Sequence, residues 1–260
     1  MLVEDNIMDA DIETVPSRIA KHRTIRFGAL FALCIGATVF PMVYYLPIWF
    51  QAIHGDDPVL SAVHMLPLIL SQVTSVILGG GLTKRIGYYM PFVWASVILM
   101  PIGVGLLNTF HVGISESKWV GYQFLFGIGV GFGFQQANVA AQAALPLRDV
   151  PTGVAVVFST QFLGGAVFVS VAQNVFTNHL RSNVASLKIP DFGPELAVRA
   201  GATELRKLVA PDFLHGVLVA YNDAIIQAFQ VALIMSCLTI FGALGMEWKN
   251  MKGKKPDLGT

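Results

Sequence analysis

Charged side chains are scarce in this 260-residue sequence, at 13% of all residues. A soluble domain usually carries about 25%. Hydrophobic residues reach 54%, and the net charge of +1 excludes the basic excess that nucleic-acid-binding proteins need. An apolar soluble enzyme could also have this composition, so the positions of the charges decide the class of protein.

Six long segments contain no Asp, Glu, Lys or Arg. They are residues 27–55, 58–83, 86–115, 119–147, 150–180 and 224–246. A helix needs about 20 mainly apolar residues to cross a bilayer, whereas the strands of an outer-membrane barrel alternate in hydropathy over about 10 residues. The segments therefore predict an all-α integral membrane protein. We place its six transmembrane helices at 27–50, 61–82, 91–108, 119–142, 152–177 and 224–246.

Cysteine is also rare. Cys34 and Cys237 both lie inside apolar segments, which is typical of small buried residues and not of a disulfide framework. The first 14 residues carry five acids and no base, the opposite of a signal peptide. We therefore expect no cleavable signal.

Groups for covalent chemistry are missing as well. The sequence shows no metal-ligand motif, no nucleophile paired with histidine and no phosphate-binding loop. The histidines other than His22 lie near span ends or in loops, where an interfacial residue is more typical than a proton relay: His54, His64, His111, His179 and His215. We predict no catalytic residue, no metal, no cofactor and no enzymatic activity.

The Lys and Arg residues of the short loops lie almost entirely on one side of the predicted bundle. Eleven are on the side of both termini and one, Lys118, is on the other. The positive-inside rule therefore predicts a cytosolic tail at 1–26, the bundle at 27–248 and a second cytosolic tail at 249–260. Residues 181–222 form a long outside loop in this topology.

The long loop contains one candidate helix. Its segment Glu195–Leu208 predicts a short amphipathic helix with Leu196, Ala200 and Leu208 on one face.

The fourth span carries a stripe of small and amide residues. Steps of three or four residues place them on one helix face: Gln123, Gly127, Gly131, Gln135, Asn138 and Gln142. For the glycines, including a second register at Gly129 and Gly133, we favour close helix packing. For the amides from Gln135 onward we favour a wetted cavity, because lipid cannot satisfy their hydrogen bonds.

The first span ends in an aromatic segment, Tyr44–Gln51, between and beyond two prolines. It is either an interfacial aromatic belt or a flexible segment that touches substrate. Polar residues also recur in the second and fifth spans, whereas the third is almost wholly apolar and is expected to face lipid. The candidate substrate-binding residues are Tyr45, Trp49, Gln72, Gln135, Asn138 and Gln161.

Several segments together resemble a known family. Residues 80–87, Gly-Gly-Leu-Thr-Lys-Arg-Ile-Gly, resemble the Gly-x-Leu-x-Asp-Arg-x-Gly loop of the major facilitator superfamily. Four further segments, 18–24, 44–58, 127–146 and 161–165, resemble fungal multidrug and toxin efflux pumps of the fourteen-span drug:proton antiporter group. The resemblance implies one six-helix half of a facilitator, with Gly80, Arg85 and Gly87 in its cytosolic loop motif. Lys84 departs from the family pattern, which has Asp there.

The resemblance implies a transporter, or the C-terminal half of one, that exports small amphipathic compounds such as drugs, toxins or secondary metabolites by proton antiport. Its partners would be the lipid bilayer, a small-molecule substrate and either a second copy, as a homodimer, or a missing N-terminal half. No nucleic acid is expected. The plasma membrane is the favoured location and the vacuolar membrane the alternative. A truncated, non-transporting protein or an accessory subunit of a full-length transporter is the second hypothesis.

Overall fold

The computed structural model describes residues 17–190 and 192–250, and among these residues it contains helices and no strand. The ten α-helices are α1 (Ser17–Ala20), α2 (Arg23–Trp49), α3 (Pro58–His64), α4 (Leu66–Ile86), α5 (Met90–Leu107), α6 (Glu116–Phe134), α7 (Gln136–Ala144), α8 (Val150–Leu187), α9 (Pro194–Leu208) and α10 (Pro211–Gly245). A π-helix, Phe50–His54, continues α2, and a 3₁₀ turn, Leu147–Asp149, precedes α8.

Five of the described helical segments are long and apolar enough to cross a membrane. They are Arg23–His54, Leu66–Ile86, Met90–Leu107, Leu147–Leu187 and Pro211–Gly245. The prediction of an all-α membrane bundle is therefore confirmed. The predicted fourth span is not among these five segments, and it is divided into α6 and α7 at Gln135.

Local sequence explains how the helices begin and end. The Asp57 carboxylate caps α3 by accepting a hydrogen bond from the Leu60 amide at 2.6 Å. Gly55 and Gly87 have φ angles of 88° and 90°, which favour glycine and stop the π-helix and α4. Helix α2 continues through Pro41 and Pro47 and widens into the π-helix shortly after the second proline. The chain thus turns sharply at Gly55.

Helix α2 is the centre of one half of the bundle and α6 the centre of the other. Helix α2 packs against α8 and α10, and α6 packs against α4 and α5. Contacts between α10 and α5, and between α7 and both α2 and α8, join the two groups. The buried core includes Trp49, Tyr45 and Phe126, all less than 2% exposed.

The two glycine registers of α6 form two different helix contacts. A methyl group on Gly131 would lie 2.5 Å from the carbonyl oxygen of Gln72 in α4. A methyl group on Gly129 would lie 2.5 Å from the amide nitrogen of Met100 in α5. Side chains larger than hydrogen would therefore separate the helices, which confirms the predicted role of these glycines in close packing.

Helices α8 and α10 extend well beyond the predicted spans 152–177 and 224–246. Hydropathy locates only the apolar part of a helix, and backbone hydrogen bonding continues into charged sequence. The predicted long loop 181–222 is therefore largely helical, and Asp223 lies inside α10 instead of at its start.

Helix α9 confirms the predicted amphipathic helix, but the face that is buried differs from the predicted apolar face. Leu196 and Leu208 are exposed, and Ala197 and Leu205 are buried instead. Ala200 belongs to the helix, but its side chain lies outside the described set. Packing against α8 and the π-helix fixes the rotation of α9, which periodicity alone left open.

Candidate substrate-facing site

Helix α8 presents an exposed stripe that includes polar residues on a membrane-spanning segment. Of the 18 residues that form its most apolar stretch, only 22% are buried, the smallest share among the five spanning segments. Its exposed polar residues Ser159, Ser170, Gln173 and Asn174 alternate with the exposed apolar residues Phe162, Leu163, Val167 and Val171. Hydroxyl and amide groups are costly in lipid unless they find partners. Ser170 donates to the Ala166 carbonyl at 3.1 Å and Asn174 to the Ser170 carbonyl at 3.0 Å. The remaining polar atoms of the stripe are suited to a polar cavity or to a second protein wall.

Tyr45 connects this stripe to the bundle interior. Its ring is fully buried, and its hydroxyl donates a hydrogen bond to Gln173 Oε1 at 2.7 Å. Gln173 in turn donates through Nε2 to Thr177 Oγ1 at 3.3 Å. A buried aromatic ring thus positions an exposed amide, so Tyr45 acts on the stripe through Gln173.

Trp49, one helical turn further along α2, points to a different partner. Its indole Nε1 donates to Asn222 Oδ1 at 2.8 Å, and Asn222 Nδ2 donates to the Phe110 carbonyl at 3.2 Å. Both Trp49 and Asn222 are buried. The structure therefore places Trp49 in a hydrogen-bonded junction of α2, α10 and the α5–α6 connection.

Three buried amides lie near the break between α6 and α7 and in the adjoining part of α8. Gln161 is 2% exposed, and neither atom of its amide has a hydrogen-bond partner among the described residues. The side-chain oxygens of Gln136 and Asn138 are also unpaired within this part of the chain. Each such group costs about 1–3 kcal/mol if it stays unsatisfied.

Helix packing places Asn138 and Gln161 on neighbouring elements. Helix α7, which carries Asn138, packs on α2 and α8, and Gln161 meets α2 where Gly36 leaves no room for a side chain. Gln135 is partly exposed at the break itself, and its Oε1 accepts a long hydrogen bond of 3.5 Å from Asn138. Gln135, Asn138 and Gln161 thus belong to neighbouring elements.

Gln72 lies apart from them, in the contact between α4 and α6. Its backbone carbonyl faces Gly131, and its side chain is partly exposed. A groove of about 260 Å³ runs between the same two helices, lined by Leu70, Ser71, Thr74, Ser75, Leu78, Phe124, Ile128 and Phe132. The exposed face of α4 is mostly apolar, so the polar character predicted for this span is largely turned toward α6.

The predicted cytosolic motif lies at the end of α4. Arg85 is exposed, Gly87 ends the helix in the left-handed conformation, and a side chain on Gly80 would meet nothing within 4 Å. The segment 18–24 is held by an ion pair of 2.8 Å between Arg18 and the buried Asp149. The sequence did not predict this contact.

The residues that follow α10 are held against the start of α5. Tyr89 donates to the carbonyl of Glu247, and burial raises the pKa of Tyr89 to about 12. Lys249 pairs with the Glu247 carboxylate at 2.8 Å, and this hydrogen bond lowers the pKa of Glu247. The contacts tie the end of α10 to the start of α5.

Sequence reasoning missed a polar cleft and a cluster of three groups. The cleft, between α8 and α10, has a volume of about 260 Å³ and is lined by His179, Asn183, Asp223, Ile226 and Gln227. The cluster joins His54, Asp56 and His64 around one buried carboxylate. Their spacing matches no known ligand motif, so the only available signal was the closeness of two histidines and an acid to the turn at Gly55.

Known proteins resemble the chain along nearly its whole length. A sequence profile of the Major Facilitator Superfamily matches residues 9–169. The efflux pump aflT of Aspergillus parasiticus is 48% identical over 246 residues, which are 95% of this chain and 48% of the relative. The MFS-type efflux pump MFS1 of Arthroderma benhamiae is 49% identical over 249 residues, 96% of this chain and 46% of the relative.

A third relative carries a substrate in its name. The rubrofusarin-specific efflux pump aurT of Gibberella zeae is 43% identical over 242 residues, 93% of this chain and 44% of the relative. The chain thus spans about half the length of the curated relatives it matches. All three relatives are named as efflux pumps.

The helical bundle with its spanning segments defines an integral, multi-pass membrane protein of a transporter class. The chain belongs to the Major Facilitator Superfamily, and the resemblance to fungal efflux pumps is confirmed.

Proposed function

We propose that this chain forms one wall of an export pathway for small amphipathic organic compounds such as toxins and secondary metabolites. The observation that carries the proposal is the exposed stripe on α8, where Ser159, Ser170, Gln173 and Asn174 lie on a helix apolar enough to span the membrane. Relatives named as efflux pumps, at 48% and 49% identity, support the direction of transport. Proton antiport would drive the complete pump, and the chain itself would catalyse no covalent reaction.

The second wall is a second bundle. Facilitator halves are related by an axis along the membrane normal, with substrate between them near the midplane. The α8 stripe would face that axis, opposite either another copy of this chain or the N-terminal half of a pump. We place the assembly in the plasma membrane. We retain the predicted topology. Both tails and the motif Gly80, Arg85 and Gly87 would be cytosolic, and residues 181–222 would lie outside.

The substrate would meet amide and aromatic groups instead of fixed charges. Asn138 and Gln161 would offer unpaired amide atoms, Gln135 would offer its partly exposed amide, and Gln72 would border the α4–α6 groove. Tyr45 would act by holding Gln173, and Trp49 by fixing the end of α2. Neutral, planar or hydrophobic compounds fit such a lining better than sugars, phosphates or amino acids.

The test is efflux from the native host after deletion of the gene and complementation with single variants. Ser170→Trp places a large side chain on the α8 stripe, and the matched control Ile102→Trp places it on the exposed apolar face of α5. We expect Ser170→Trp to reduce efflux of rubrofusarin or Nile red at least 10-fold and the control to keep it. Equal efflux by both variants at equal abundance, or no effect of the deletion, would contradict the proposal.

A further inference from the structure

Two histidines converge on one buried carboxylate where the π-helix ends. His54 Nδ1 lies 2.7 Å from one oxygen of Asp56, and His64 Nδ1 lies 2.6 Å from the other. The Asp56 side chain is 3% exposed, compared with 40% for His54 and 19% for His64. All three potential ligand atoms lie within 4.8 Å of one another. We call this group the His54–Asp56–His64 cluster.

The backbone holds the cluster from three sides. The π-helix ends at His54, Gly55 turns the chain in the left-handed conformation, and Asp57 caps α3, which ends at His64. From α6, Gln123 Nε2 donates to the His64 carbonyl at 3.0 Å, and the Trp119 ring lies 4.9 Å from the His64 ring. The His64 imidazole is therefore held in place before any ligand arrives, which lowers the entropic cost of binding.

The nearby positive charge has a hydrogen-bond partner of its own. Arg206 of α9 reaches this turn, but its guanidinium donates to the Ile53 carbonyl at 2.5 Å. The adjacent Asp57 carboxylate accepts from the Leu60 amide. The two imidazoles are thus the side-chain partners recorded for the Asp56 carboxylate in the described part of the chain.

We propose that the His54–Asp56–His64 cluster binds a divalent transition-metal ion, with Zn²⁺ as the best fit. Two imidazole nitrogens and one carboxylate oxygen are the usual three protein ligands of an open Zn²⁺ site, and water supplies the fourth. Histidine ligands select such ions over Mg²⁺ and Ca²⁺. The ion takes the place of the proton between each Nδ1 and the Asp56 oxygens. A neutral imidazole then carries its single proton on Nε2, and an imidazolium releases its Nδ1 proton to solvent.

The required movement is small. Zn–N and Zn–O bonds of about 2.0–2.1 Å place tetrahedral ligand atoms about 3.3 Å apart. The two pairs, now at 2.7 and 2.6 Å, must therefore each open by less than an ångström, and the two Nδ1 atoms, which lie within 4.8 Å of each other, must come to the same separation. The partly exposed His54 can move outward to provide this room. A bound ion would then join the end of α2 to α3, next to the start of α4, independently of any transport activity.

The test is direct binding of Zn²⁺ and Co²⁺ to the full 260-residue chain, purified in detergent with a tag other than polyhistidine. Calorimetry measures the Zn²⁺ affinity, and visible absorption of bound Co²⁺ reports the coordination geometry. The variants are His54→Gln and His64→Gln. The matched controls are His111→Gln and His179→Gln, which change exposed histidines outside the cluster.

We expect one Zn²⁺ per chain and a tetrahedral Co²⁺ spectrum. Loss of an outer-shell partner typically reduces metal affinity about 10- to 100-fold, so loss of a direct ligand should reduce it at least as much. The control variants should bind like the unchanged chain. No binding by the unchanged chain, or equal binding by all four variants, would overturn the proposal. If His64→Gln failed to fold, the more exposed His54→Gln would decide.

Discussion

Trp49 donates its indole N–H to Asn222 at 2.8 Å across 173 positions of sequence. Asn222 in turn donates a hydrogen bond through Nδ2 to the Phe110 carbonyl. One buried amide therefore holds α2, α10 and the α5–α6 connection together. The same end of the bundle carries the π-helix and the His54–Asp56–His64 cluster, so this junction determines how α2 approaches the segment that follows it.

Replacing Asn222 with Leu should destabilise the protein. The Trp49 N–H and the Phe110 carbonyl would both lose a buried partner, and an unsatisfied buried group costs about 1–3 kcal/mol. Thermal unfolding in detergent measures the loss. The double variant Trp49→Phe/Asn222→Leu removes the unpaired donor as well, so it should lose less stability than the sum of the two single variants. Strictly additive losses would contradict the contact.

Two Gly→Ala changes should have opposite effects on stability. Gly131→Ala places a methyl group 2.5 Å from the Gln72 carbonyl, so we expect a loss of about 1–3 kcal/mol from overpacking. Gly81→Ala, in α4, meets nothing within 4 Å. There the change should add about 0.5–1 kcal/mol through helix propensity. Unfolding temperatures in one detergent give both values, and equal shifts would disprove the helix contact.

Cysteine labelling on intact cells tests the topology. In a Cys237→Ser background, a membrane-impermeant maleimide added outside should modify Ser186→Cys and leave Arg85→Cys unlabelled. Both positions are exposed, and Cys34 is buried, so accessibility differs only by side of the membrane. Permeabilised cells, in which both should react, provide the control. The reverse pattern would place the termini outside.

The double variant Gln135→Leu/Asn138→Leu separates a wet cavity from dry helix packing. In the native host, we expect efflux to be abolished with membrane abundance nearly unchanged. If the amides hold helices together instead, their loss would cost roughly 1–2 kcal/mol of packing. Abundance would then fall in step with efflux. Quantifying the protein in isolated membranes beside dye efflux distinguishes these outcomes.

The 260-residue chain alone should not accumulate substrate uphill. One bundle provides one wall, and Asp223 at the α8–α10 cleft is the acidic residue furthest inside the described spanning segments. Purified chain in vesicles with an imposed pH gradient should at most let rubrofusarin or Nile red leak downhill. Proton-driven accumulation would disprove this expectation, and Asp223→Asn would then be the first variant to measure.

The sequence determined the class of this protein. Uninterrupted apolar segments need no tertiary information, because crossing a bilayer imposes a length and a lack of charge on each helix separately. Hydropathy therefore located the spanning helices, and the spacing of Gly127, Gly129 and Gly131 predicted their close contacts. The loop motif and the aromatic segment led to the correct family for the same reason, since both are local patterns.

The tertiary structure decided which polar groups meet. Periodicity gives the face of a helix but not its rotation against neighbours, so it could not place Gln173 on Tyr45 or Asn222 on Trp49. It also missed the helical extension of α8 and α10, because charged ends of helices leave no hydropathic signal. His54 and His64 looked like separate residues at span ends. Only the turn at Gly55 and the packing of α3 on the π-helix direct both imidazoles onto the buried carboxylate of Asp56.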